Sequence, residues 1–145
     1  MGASKYFSSE QQSQIVAAIR EAESNTSGEV RVHIESKCDE DVLDHAAWLF
    51  QFLNMHKTDA RNGVLVYLAV ESKKFAIIGD RGINAVVPPD FWDATKEEMR
   101  TQFANGRITD GIVGAVLSAG VHLKTYFPHL SDDKNELSDE ISFGK

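Results

Sequence analysis

Asn62 and Asp80 bracket two apolar runs, and a glycine stands beside each of them. Between them lie the apolar residues 64–70, a polar step Glu71-Ser72-Lys73-Lys74, and the apolar residues 75–78. Two strands joined by a tight turn bring the chain back to the edge where it started. Asn62 and Asp80 therefore meet at one rim of a sheet. An amide and a carboxylate there, with Asp59 just upstream, supply the oxygen ligands that a hard cation takes, calcium foremost and magnesium next. Gly63 and Gly79 let a ligand come close. Arg61 adds a guanidinium that can hold an anionic group, phosphate included. Its commoner use is an ion pair with Asp59 or a helix carboxylate.

Glu29 joins this group through topology. Strand one alternates, with Val30, Val32 and Ile34 on one side and Glu29, Arg31, His33 and Glu35 on the other. The first set is core, and the second reads as a wet polar face. The acidic start Asp39-Glu40-Asp41 favours a helix through its dipole. Val42, Leu43, Ala46, Leu49, Phe50 and Leu53 form the apolar side of that helix. A strand–helix–strand crossover makes strands one and two parallel, with a right-handed connection. Parallel strands begin at the same rim, so Glu29 falls beside Asn62. Asp80, at the end of the antiparallel third strand, falls there too. This is the amino-terminal rim, whereas open parallel sheets usually hold ligands at the opposite one.

The remaining elements frame this sheet. Ser8 or Ser9, with Gln11 or Gln12 three residues on, predicts a capping box and a first helix with Ile15, Ile19 and Ala22 on its apolar stripe. Residues 64–70 are apolar on both faces, which predicts a central strand. Pro88-Pro89-Asp90 predicts a third helix capped by Asp90 and anchored by Phe91, Trp92, Met99 and Phe103, ending at Asn105-Gly106. A fourth helix follows over 109–126. Its small residues, Gly111, Gly114, Ala115, Ala119 and Gly120, let a neighbour approach closely. The expected architecture is a three-layer α/β/α sandwich around a small mixed sheet, with strands one and two parallel and two and three an antiparallel hairpin. One domain spans residues 1–128. Residues 129–145, polar and acidic, read as a mobile tail, and the run Asp132-Asp133-Lys134-Asn135-Glu136 resembles half of a calcium loop by composition alone.

Bulk properties exclude several classes. The 145 residues carry a net charge of −7, and phosphate-backbone binding needs a basic face, so nucleic acid is not an expected partner. Cys38 is the single cysteine, so no intrachain disulfide forms. No apolar stretch approaches the roughly 20 residues of a membrane span, and no apolar leader is visible, so a soluble, cytoplasmic protein is expected. His33, His45, His56, His122 and His129 read as scattered, without ligand spacing. Walker, dinucleotide, nucleophile-elbow and zinc patterns are absent.

The order of elements and four motifs resemble the TPM domain family, also called TPM phosphatase. The motifs are Ser27-Gly28-Glu29-Val30-Arg31-Val32, Arg61-Asn62-Gly63-Val64-Leu65, Ile77-Ile78-Gly79-Asp80-Arg81-Gly82-Ile83 and Phe103-Ala104-Asn105-Gly106-Arg107. The resemblance covers about residues 5 to 128. It implies an α/β/α sandwich, calcium or another divalent ion at a surface site, and a role in membrane-protein maintenance with a protein partner at a membrane. It also implies a phosphatase activity. Residues and resemblance together favour a module that binds a divalent cation through Asp80, Asn62, Asp59 and Glu29 and serves as an accessory or interaction protein. The alternative is a metal-dependent, low-specificity acid phosphatase in which Arg61 stabilises developing charge. No nucleophile or general acid stands out for it.

Overall fold

Ser8 opens the first helix, α1 (Ser9–Asn25), as predicted. Its Oγ accepts the Gln11 N–H at 3.1 Å, and Gln11 Oε1 accepts the Ser8 N–H at 2.9 Å. This reciprocal pair satisfies two donors that a helix start leaves unpaired. The structure is a computed structural model that describes residues 2–129 and 138–144. The acidic run 132–136 lies outside the described residues.

The alternating segment forms β1 (Glu29–Glu35), and α2 (Val42–Phe52) carries the chain to β2 (Gly63–Ala69). Strands β1 and β2 are parallel, with Glu29 opposite Gly63 and Ile34 opposite Leu68. The turn at 70–73 then returns β3 (Lys74–Gly79) antiparallel to β2, with Val64 opposite Gly79. Every residue of β2 is buried, as expected of a central strand. The sheet order is β3-β2-β1-β4, where β4 (Ser142–Phe143) pairs in parallel with His33 and Ile34. That fourth strand comes from the polar C-terminal stretch, which carries no strand pattern of its own.

Helices cover both faces. On one, Val30, Val32, Ile34, Val64, Val66 and Ile77 pack against α1 and against α4 (Asp93–Ala104) and α5 (Ile108–Leu123). On the other, Leu65, Tyr67, Ala69 and Ala76 pack against Ala46, Leu49 and Phe50 of α2. The small residues of α5 act as expected. A Cβ at Gly120 would lie 2.7 Å from Ala22 Cα, so α1 crosses α5 at backbone distance. Helix boundaries differ from expectation, the last helix stopping at Leu123 rather than running to 126. The helix after the proline pair starts at Asp93, with Trp92 rather than Asp90 at its cap. The reason is a turn: Phe91 N–H donates to Pro88 O at 3.1 Å and Asp93 N–H to Asp90 O at 3.0 Å, while Trp92 is buried. A short α3 (Arg81–Asn84), capped by Asp80, follows β3, where the sequence pattern assigns no element.

The edge of β1 carries a protonated carboxyl. The Val30 N–H points away from β2, beyond the reach of β4, and donates to Glu23 Oε2 at 3.0 Å. Burial, a hydrogen bond with Asp139, and the charges of Asp139 and Glu29 push the Glu23 carboxyl up to about 9, against the pull of the Val30 N–H. Between its ordinary value of 4.5 and about 9 the folded protein holds a proton that the unfolded chain has released. Stability therefore falls as pH rises through that window. Glu23→Gln supplies an acceptor for Val30 and a donor for Asp139 without a charge. Urea unfolding followed from about pH 6 to about pH 9 is expected to show a declining midpoint for the wild type and a flatter, higher one for the variant. Parallel curves would mean that Glu23 is ionised in the fold.

Candidate functional site at the amino-terminal rim

Main-chain hydrogen bonds assemble the rim. The Glu29 N–H donates to Asn62 O at 3.3 Å, and the Asp80 N–H donates to Gly63 O at 2.9 Å. Glu29, Asn62 and Asp80 therefore stand side by side at the starts of β1 and β2 and the end of β3. All three are deeply buried, at 4%, 2% and 6% exposure. Asn62 Nδ2 reaches Ser27 Oγ at 3.5 Å. Asp59 is not drawn into the buried group and lies exposed on the loop before β2.

Arg61 decides the electrostatics. Its backbone sits in the left-handed region at φ 51°, which turns the side chain back onto Asp80. Nε donates to Asp80 Oδ2 at 2.7 Å and Nη2 to Oδ1 at 2.9 Å, a bidentate fork. Asp80 Oδ1 also accepts the Arg81 N–H at 2.7 Å and so caps α3. The fork and the nearby charge of Asp80 raise the Arg61 guanidinium above its ordinary value. Arg61 does form an ion pair, but with Asp80 rather than with Asp59 or a helix carboxylate.

The rim offers a cation several oxygens but not a complete set. Glu29 supplies a carboxylate and Asn62 an amide oxygen. Thr58, 5% exposed, has a buried hydroxyl without a hydrogen-bond partner among the described residues. The Asp80 carboxylate is taken up by the Arg61 fork and the Arg81 N–H. Among the described residues no group of three or more His, Cys, Asp and Glu side chains is placed to hold a metal ion. A cation at Asp80 therefore does not fit this arrangement unless Arg61 moves.

A second polar cluster sits at the opposite end of the sheet. Glu35 Oε1 accepts from the Tyr67 hydroxyl at 2.7 Å and lies 2.6 Å from His45 Nε2, while His33 Nε2 lies 3.3 Å from Oε2. His33 Nδ1 meets Ser142 Oγ of β4 at 2.8 Å. Burial alone would raise Glu35, but Tyr67, His45 and His33 outweigh it and hold the carboxyl below its ordinary value. Burial lowers His33, and burial with the adjacent Glu35 raises Tyr67. The polar face of β1 is thus covered rather than wet, and two histidines that looked scattered converge on one carboxylate. Alternation marks the face of His33 and Glu35, but nothing local in the sequence joins them to Tyr67 or His45.

A family model for the TPM domain matches residues 3–121. No curated protein matches the chain. The NMR structure of BA42 protein from the psychrophilic bacterium Bizionia argentinensis is similar, at 47% identity over 96% of each chain, with a TM-score of 0.91. The NMR structure of the N-terminal domain of cg2496 protein from Corynebacterium glutamicum shares the fold. Its TM-score is 0.65 at 16% identity, over 97% of this chain and 82% of that one.

Proposed function

The chain belongs to the TPM domain family, and from that premise we propose that it is an accessory binding module whose amino-terminal rim takes a hard divalent cation, calcium before magnesium. The observation that carries this reading is that Glu29, Asn62 and Asp80, from separate segments, are brought to one rim by main-chain hydrogen bonds, none more than 6% exposed. Buried carboxylates need compensation. Arg61 supplies it for Asp80 here, and a cation that displaced Arg61 would supply it in its place. Thr58 and the exposed Asp59 add oxygens nearby. Six or more ligands are needed, so main-chain carbonyls and water complete the shell. Because the ion must displace a bidentate guanidinium, binding is weak.

Binding fits these residues better than catalysis. In a metal-dependent phosphatase Arg61 would face the phosphoryl group, whereas here its Nε and Nη2 are directed at Asp80. A partner protein at a membrane is the other half of the proposal. It is supported by α2, where Trp48 and Phe52 stack at 4.9 Å on the surface. Among the described residues no helix is long and apolar enough to cross a membrane.

Calcium titrated into isotope-labelled protein is expected to shift the amides of residues 27–30, 58–63 and 79–83. Arg61→Ala should tighten binding, because it removes the competing cation, and Asp80→Asn should weaken it. Shifts confined to other residues, or an Arg61→Ala protein that binds no more tightly, would remove Asp80 from the site.

A further inference from the structure

The end of β2 and the start of β3 carry a cavity that the rim does not explain. It lies on the α4–α5 side of the sheet and measures about 400 Å³. Leu68, Phe75, Phe103 and Ile108 form its apolar walls, and Lys73 and Arg100 are its charged residues. No described carboxylate lines it. The volume falls within the roughly 300–1,000 Å³ of small-molecule sites, and the make-up, apolar walls with a few convergent polar groups, is the usual one.

Packing keeps the space open. The Phe103 ring lies against Gly111, where an added Cβ would come within 2.5 Å of Cε1, and meets Phe75 edge-on at 5.2 Å. The ring is therefore held between α5 and β3. The Arg100 guanidinium stands 5.7 Å from the centre of the Phe75 ring and pairs with Glu97 at 2.6 Å in an exposed contact. Exposed pairs of this kind are weak and yield readily to a better-placed anion. Lys73, held in the turn between β2 and β3 at φ 54°, has no ion pair among the described residues.

We propose that this cavity binds a single-chain amphiphilic carboxylate, with the tail between Phe75, Phe103, Leu68 and Ile108 and the carboxylate on Arg100 and Lys73. Apolar walls favour an apolar body through the area removed from water. The guanidinium fork matches a carboxylate bidentately, and the ammonium adds a second positive charge. Walls without hydroxyl or amide side chains leave nothing to recognise a sugar or a base.

The test uses the full chain and three probes of one tail length below their micellar concentrations: decanoate, decanol and decyltrimethylammonium. Decanoate is expected to shift the amides of residues 68–75 and 100–108 saturably, and to bind roughly tenfold more tightly than decanol, the difference that charge-assisted bonds supply. The double variant Lys73→Gln, Arg100→Gln should bring decanoate down to the level of decanol and leave decanol unchanged. Ala104→Trp, an exposed lining position, should block all binding while amide spectra keep the native pattern. Decanol or the cationic probe binding as tightly as decanoate overturns the proposal. So do shifts that map elsewhere, absence of saturable binding, or a native-like Ala104→Trp protein that binds like the wild type. These outcomes are independent of calcium binding at the opposite rim.

Discussion

Replacing Leu65 with alanine is expected to cost about 2–5 kcal/mol, the range for truncating a fully buried leucine. Leu65 has no exposed surface and sits in the central strand, opposite Ile78 of β3 and Arg31 of β1. Its side chain packs in the cluster of Ala46, Leu49, Phe50 and Met55 beneath α2. That layer is one helix thick, and its neighbours are held by strand hydrogen bonds on both sides, so collapse around a void is limited. The deleted atoms cost their transfer free energy, and the residual cavity adds to it. Chemical denaturation is expected to show a lower midpoint with an unchanged slope. A loss below about 1 kcal/mol would show that β2 does not occupy the centre of the sheet.

Gly82→Ala is expected to destabilise the protein by about 1–3 kcal/mol and to disturb the rim. Helix propensity alone predicts the reverse sign, a gain of about 1 kcal/mol for alanine over glycine. Space decides otherwise. A Cβ at Gly82 would lie 2.3 Å from Ala60 O and 2.5 Å from Arg61 O. Both atoms are main chain, and the Gly82 N–H donates to that same Arg61 O at 2.9 Å. Relief requires the loop bearing Arg61 and Asn62 to move, which also breaks the geometry of the Arg61–Asp80 fork. Amide spectra should show changes over residues 58–63 and 79–84, with a lower unfolding midpoint. An alanine variant as stable as the wild type, with those amides unmoved, would mean that the loop does not pack on α3.

The two variants separate two kinds of dependence. Leu65→Ala weakens the layer beneath α2 but leaves the rim hydrogen bonds Glu29–Asn62 and Asp80–Gly63 in place. Gly82→Ala leaves that layer intact and moves the rim. A cation site at the rim should therefore survive the first substitution, measured under conditions where the variant is folded, and fail in the second.

Local and periodic features of the fold were legible in the sequence. Alternation over residues 29–35 gives one face of β1, because a strand repeats every two residues. An apolar run on both faces marks β2 as central, and Ser8 with Gln11 sets the first helix boundary. The meeting of Glu29, Asn62 and Asp80 also follows from sequence, since a parallel crossover and a hairpin leave those three positions only one shared rim. Tertiary structure alone decided what such residues touch. The left-handed backbone at Arg61 aims its guanidinium at Asp80 instead of Asp59, and a bond between residues far apart in sequence has no local signature. The same holds for β4, whose two residues pair with β1 only because the chain returns there, and for the convergence of His33, His45 and Tyr67 on Glu35. Period and propensity are properties of neighbouring residues. Partner choice depends on where separate segments arrive in space, and packing of the whole core determines that.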